Sequence, residues 1–433
     1  MSYDRLFLIS LAVRYVCIVS VFLLAIPVAR KWWGKFGVKA FVAYYILRFV
    51  ALFVLCKIGG AYPGDLPEWH SMSRWIVDEH LIPGLECKTG YHLGFSYVLA
   101  LSTWIWNNPL SIAISWSLCE MVAMVLFFVS LRAVFSERIA KRTIILYLAS
   151  PFCLFISWLG AQDEPFYLLI AALLLLLYHK GSGMLAQWYV SFTAIFFSKL
   201  IAPLFLMPFA LMRRWKGLLP FIAGMLAYYC LCWAIGIDPF DMRTTKDMSD
   251  MRTLSMLAFE TQLGNVWYFL DFVPVWLQNI VLLSVMGIVG LSLLPNFSSG
   301  GRLCDAFDNA CVLHGALMLV LMLFFRINFV QYLLPMGFCL AFHMASGMDC
   351  PQSRRYRSWM AFWMCVIIFK DFVNNIVRRQ LVFPENGDIV LDIGSIVYLL
   401  STAAFAIAFY VKFRDRFHSP WRGLAGLKDD MVR

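Results

Sequence analysis

The segment Gly59-Gly60-Ala61-Tyr62-Pro63-Gly64-Asp65-Leu66-Pro67-Glu68-Trp69-His70 sets two carboxylates and an imidazole close together behind a glycine-rich turn. A carboxylate held in this way can serve as a general base toward a hydroxyl. The same residues also spell a helix start, with Asp65 as N-cap, Pro67 in the first turn and Glu68 closing a capping box. The two readings are compatible, because a cap fixes a carboxylate's position. A second cluster, Ser157-Trp158-Leu159-Gly160-Ala161-Gln162-Asp163-Glu164-Pro165, places an amide and two acids between Trp158 and the pair Phe166 and Tyr167. That composition suits sugar hydroxyls with aromatic stacking, or a divalent cation; its plain alternative is a solvated turn. Two cations follow. Lys199, between Ser198 and Leu200, and Arg326, in Phe325-Arg326-Ile327-Asn328-Phe329-Val330-Gln331-Tyr332-Leu333-Leu334-Pro335, can each hold a phosphate, Arg326 in bidentate fashion. Snorkelling and interfacial anchoring are their plain alternatives.

These residues are set in a chain of 433 residues that is 61% hydrophobic and 14% charged, with a mean hydropathy of +0.74. Soluble domains carry about 25% charged residues, so one buried core cannot absorb this composition. A disulfide scaffold, a disordered chain and a nucleic-acid binder are excluded on length, apolar content and the lack of a dense basic domain. The reading is a polytopic, all-α membrane protein. The 12 cysteines are scattered, without a CxxC pair, and most lie in apolar runs.

Spans of roughly 20 apolar residues are expected over 6–29, 40–58, 109–131, 143–159, 164–178, 184–212, 217–236, 277–295, 307–325, 327–346, 358–376 and 393–412. Basic loops mark the cytoplasmic side: Arg30, Lys31, Lys35 and Lys39; Arg132, Arg138, Lys141 and Arg142; Arg213, Arg214 and Lys216; Arg354, Arg355 and Arg357; and the tail 413–433. The net charge of +10 is therefore topology and not a polyanion surface. Acid-leaning loops fall outside: a first large outer loop over 59–107 and a second over 237–275. Parity of crossings then makes 93–106 an interfacial or re-entrant helix, and 184–212 a hairpin of two short helices with Lys199 near its outer apex. Trp69, Met72 and Ile76 give the segment after Asp65 an apolar stripe that lies along the membrane surface. The outcome is one membrane domain, 1–433, with about 11–13 crossings. Arg14, Arg48 and Glu120 are expected to neutralise one another inside the first spans, and Lys370 with Asp371 to do likewise.

In order and outer placement the four clusters resemble the GT-C superfamily of membrane glycosyltransferases. The resemblance is carried by Asp65 ahead of a surface helix with Trp69 and Arg74, and by Gly90-Tyr91-His92-Leu93-Gly94-Phe95 entering a short apolar helix. It continues through Ser150-Pro151 and Ser157 before Gln162-Asp163-Glu164, then Ser198-Lys199 with Pro203, and finally Arg326 with Tyr332 and Pro335. It covers roughly residues 55–345. Two spans precede the Asp loop where the family has one.

The resemblance implies a GT-C-like bundle with amphipathic juxtamembrane helices and an inverting displacement at the anomeric carbon of a polyprenyl-phosphate-linked sugar. The acceptor would be a glycan or glycolipid. Asp65 would be the base, and Lys199 with Arg326 would hold the departing phosphate, with Arg243 and Arg252 of the second outer loop as further phosphate ligands. Glu68, His70, Gln162, Asp163, Glu164 and Tyr332 would hold sugar or acceptor. No cofactor is required, although a divalent cation is admitted near Asp65 and Asp163. The setting would be the bacterial plasma membrane, or the endoplasmic reticulum membrane. Two alternatives stand beside this reading. One is an O-antigen-type polymerase or ligase using diphosphate-linked donors. The other is a lipid or sugar flippase, which would need its charges at mid-membrane. The chain has no Walker P-loop, GxGxxG, HExxH or GxSxG motif.

Overall fold

The computed structural model describes residues 3–59, 62–86, 91–198, 202–237, 264–270, 272–297, 301–325, 330–378 and 387–420. Helix dominates throughout. The N-terminal half holds α1 (Tyr3–Lys31), α2 (Val38–Gly59), α3 (Leu66–Asp78), α4 (Leu93–Ile105), α5 (Pro109–Val134), α6 (Glu137–Leu148), α7 (Pro165–His179), α8 (Met184–Phe196) and α9 (Ala202–Ala210). There follow α10 (Trp215–Ala234), α11 (Val275–Leu293), α12 (Leu303–Phe324), α13 (Leu334–Ser346), α14 (Arg354–Arg378) and α15 (Gly387–Phe413).

Among the described residues, seven helices are long and apolar enough to cross a bilayer, or eight if α6 and the following segment Cys153–Leu159, bent by 64° to one another, count as one span. Of the other expected crossings, 358–376 falls in the 25-residue α14, which is not one of these seven, and the rest are shorter pieces. α4, α7 and α8 have 13 to 15 residues, about 20–22 Å at 1.5 Å per residue, against a hydrocarbon thickness of about 30 Å. The α8–α9 pair matches the expected interrupted hairpin, and α4 matches the segment read as too short to span. Long helices expose apolar side chains outward, as lipid-facing surfaces do: Leu24, Leu47, Leu283 and Val411 are all exposed.

The basic loops gather at one end of the bundle. Arg142 donates to the carbonyls of Ala29 and Arg30 and to Asp349 at 2.7 Å, and Arg138 reaches the same carboxylate at 3.3 Å. Arg214 Nε donates to the Phe297 carbonyl, and Arg213 to that of Ser182. The Arg416 guanidinium pairs with Asp308 and its carbonyl accepts from Asn296, closing the end of α15 onto α12. These bonds join the loops that charge counting assigns to the cytoplasm.

Midway through the bundle lies a buried charge pair. Arg48 of α2 bonds Glu120 of α5 through Nη1 and donates from Nη2 to Ser157 Oγ at 2.7 Å. Tyr147 donates to the second Glu120 oxygen at 2.7 Å. Both charges are at most 3% exposed, and the pairing expected of Arg48 and Glu120 is present. Arg14 is exposed and stands apart from it.

Candidate functional site

The end of the bundle opposite the basic loops is built around helix α3. Leu66, Trp69, Met72 and Ser73 form its buried face, packed on Phe95 of α4 and Trp116 of α5. Trp69 meets Phe95 edge-on at 5.7 Å, while Phe95 stacks on Trp116 at 5.3 Å and on Tyr91 at 4.3 Å. The Trp69 indole N–H donates to Tyr91 Oη at 2.9 Å. This ring packing fixes α3 against α4 and α5.

Asp65 occupies the N-cap position of α3, yet its side chain makes no capping bond. The capping-box expectation therefore fails in its side-chain half: backbone geometry starts the helix, and the Asp65 carboxylate makes no hydrogen bond or ion pair among the described residues. Glu68, one turn on, is exposed, and partial desolvation together with Asp65 raises its carboxyl above the ordinary range. His70 turns away to Asn107, with 3.0 Å between its Nε2 and Asn107 Oδ1, which ties α3 to the α4–α5 junction. Burial lowers its pKa.

The acidic turn is preceded by a wide π-helical segment, Cys153–Leu159. In it the Gly160 N–H reaches the Phe155 carbonyl at 2.8 Å and the Gln162 N–H that of Ile156 at 3.3 Å. Ala161 adopts φ 49°, a left-handed conformation costly for a residue with a Cβ. Strain and a π-turn together are frequent marks of functional backbone. Gln162, Asp163 and Glu164 are 6%, 2% and 0% exposed, so the solvated-turn alternative does not hold.

These two clusters touch. Gly64 has φ +56°, and a Cβ built on it would lie 2.4 Å from the Gly160 carbonyl oxygen and 2.8 Å from Gln162 Nε2. The base candidate thus follows directly on a residue packed against the acidic turn, although about 100 residues separate them in sequence.

Two further segments close on the same region. His92, at the entry to α4, donates from Nδ1 to the Ile195 carbonyl at 2.7 Å, and its backbone N–H bonds the Ser198 carbonyl. Because a carbonyl only accepts, the Nδ1 tautomer is fixed. Burial pushes the His92 pKa down to about 4. A Cβ on Gly94 would clash with Phe196 and Phe197, and Phe197 also faces Phe166 at 6.3 Å. The residues just before Lys199 are thereby joined to both the Gly-Tyr stretch and the acidic turn. Tyr332 lies 6.0 Å from Phe205, which in turn packs on Tyr167 at 4.8 Å. Lys199, Arg243, Arg252 and Arg326 lie outside the described residues.

The supports of this site carry no signal of their own in the sequence. Gly64 and Gly160 were legible only as turn formers, and Arg48 only as a paired charge. Its bond to Ser157 and the Trp158 indole bond to the Arg48 carbonyl, 3.0 Å, anchor the segment that leads into the acidic turn. Among the described residues no three His, Cys, Asp or Glu side chains group as a metal site.

An all-α polytopic membrane protein with a buried acidic turn at the face opposite its basic loops is thus defined. No protein-family model matches the sequence, and no curated protein does. Among solved structures the chain is similar to the crystal structure of ArnT from Cupriavidus metallidurans bound to undecaprenyl phosphate, with 14% identity and a TM-score of 0.47 over 87% of this chain and 75% of that one.

Proposed function

We propose that this protein is an inverting glycosyltransferase that moves a sugar from a polyprenyl-phosphate donor to a glycan or glycolipid acceptor at the outer membrane face. The observation that carries the proposal is the contact of the Asp65 loop with the Gln162–Glu164 turn through Gly64. It supports a reading in which the Asp65 carboxylate, which makes no hydrogen bond or ion pair among the described residues, works beside the buried polar groups of that turn.

In this reading Asp65 accepts the proton of the acceptor hydroxyl as its oxygen attacks the anomeric carbon. The bond from that carbon to the phosphate oxygen breaks, and the electron pair leaves on the polyprenyl phosphate. Lys199 and Arg326 stabilise the charge that develops on the departing phosphate, with Arg243 and Arg252 as outer ligands. Gln162, Asp163, Glu164 and Tyr332 orient hydroxyls, and Glu68 lines the acceptor side. Attack and departure on opposite faces invert the anomeric centre. The flippase alternative loses its main support, because Arg48 and Glu120 satisfy one another and Ser157 instead of lining a path.

The test is transfer by the purified full chain from synthetic polyprenyl-phosphate sugars to glycolipid acceptors, with anomeric configuration read by NMR. Turnover that is lost in Asp65→Asn and Lys199→Gln, with inverted product from the native chain, is the expected result. Retained turnover in Asp65→Asn removes Asp65 as base, and a requirement for diphosphate donors would replace the donor class.

A further inference from the structure

We infer that the inner face carries a binding site for an anionic phospholipid of the cytoplasmic leaflet, in a groove between α1 and α14. The groove has a volume of about 920 Å³, and its walls come from both helices and the α13–α14 turn. Its deep part is apolar, with Val19, Leu23 and Ile26 facing Phe362 and Cys365; its mouth carries Arg30, Arg354 and Arg357. A second basin of about 730 Å³ shares Arg354, Ser358 and Phe362 with it and adds Arg355.

The dimensions match one leaflet. From Val19 to Arg30, and from Arg354 to Cys365, each helix climbs eleven residues, roughly 16 Å, which is half of a hydrocarbon core of about 30 Å. The two helices run antiparallel, so their basic ends meet at the cytoplasmic headgroup level and their apolar ends near the bilayer centre. At that depth the groove is shut by the Tyr15 hydroxyl, which donates to the Cys365 carbonyl at 2.9 Å, and by the Tyr15 ring 5.0 Å from Phe369.

The charges select the headgroup. Among the described residues, Asp349 is the one acid lining the groove, and its carboxylate is taken by Arg142 and Arg138. Arg357 is held by the Gly347 and Cys350 carbonyls, which leave its charge uncompensated. Arg30 and Arg354 are exposed and make no ion pair among the described residues. Three guanidiniums above an acyl-length apolar trough fit a phosphodiester with its chain descending between the helices. The site belongs to the additional N-terminal span, which packs on α6 and α14 away from the acidic turn.

The test is native mass spectrometry of the full chain in detergent with dioleoylphosphatidylglycerol, dioleoylphosphatidylcholine or inorganic phosphate added. Phosphatidylglycerol should be retained over phosphatidylcholine. Each removed surface charge should weaken it about fivefold, so that Arg30→Gln with Arg354→Gln loses roughly 25-fold. Leu23→Trp, which fills the trough and leaves the charges, should also lower retention. Equal retention of the two lipids, a double variant indistinguishable from native chain, or competition by inorganic phosphate at millimolar concentration would each overturn the proposal. Transfer activity is not the readout, so the result is independent of the outer-face chemistry.

Discussion

Gly64 lies so close to Gly160 that it has no room for a methyl group: a Cβ on Gly64 would stand 2.4 Å from the Gly160 carbonyl oxygen. This contact joins the Asp65 loop to the acidic turn. Gly64→Ala would also strain a backbone at φ +56°, adding about 1–2 kcal/mol to an overpacking cost of about 1–3 kcal/mol. We expect a melting temperature several degrees lower and transfer reduced more than tenfold. Gly37→Ala, at a site with open space around it, should leave both near native values. Native-like turnover in Gly64→Ala would dissociate the two clusters.

Asp65→Asn separates chemistry from capping. The Asp65 side chain makes no capping bond, so the amide should leave the melting temperature within about 1 °C, whereas N-cap bonds lost elsewhere cost about 1 kcal/mol. Loss of a general base lowers turnover by roughly 10²–10⁴. Paired calorimetry and transfer assays on one preparation check both. A large stability loss with modest kinetic change would return Asp65 to a structural role.

How far the sequence reveals this arrangement depends on what each signal measures. Hydropathy and loop charge yield the all-α architecture, the short α4 and the interrupted α8–α9 pair, because those follow from bilayer thickness and the placement of Lys and Arg. The pairing of Arg48 with Glu120 is legible too, since two opposite charges in adjacent spans have few other partners. The side-chain half of the Asp65 cap is not, because a capping pattern specifies a position and not the direction of a carboxylate. Nor is the Gly64–Gly160 contact, which depends on a π-turn and a left-handed Ala161 that no periodicity announces. His70 reads as a site residue by proximity to Asp65, and only the packing of α3 shows it directed to Asn107.

The Arg48–Glu120 pair supports the segment leading to the acidic turn. Removing one member leaves a buried charge exposed to hydrocarbon surroundings, at about 3–5 kcal/mol. Glu120→Gln and Arg48→Met should therefore each lower stability strongly. The double variant should recover much of it, because no uncompensated charge remains. Transfer should stay depressed in the double variant, since Ser157 loses its Arg48 donor. Thermal unfolding of the four proteins in one detergent forms the cycle; additive losses would show that the pair does not act as a unit.

His92 supplies a pH dependence. Its pKa falls from 6.5 to about 4 through burial, so the native state binds fewer protons than the unfolded chain between those values. Stability is then fully present above pH 6.5 and is lost as pH falls toward 4, by about 3 kcal/mol at the limit. His92→Asn keeps an N–H that can donate to the Ile195 carbonyl but carries no titrating ring. The difference in melting temperature between pH 7.5 and pH 4.5 should therefore shrink in the variant, while the value at pH 7.5 moves little. Because His92 holds the α4 entry to Ile195 and Ser198, protonation should loosen the segment just ahead of Lys199 first. Hydrogen exchange at Phe197 and Ser198 should accelerate below pH 5 in the native chain and not in the variant. An unchanged acid limb in His92→Asn would assign the loss to carboxylates instead.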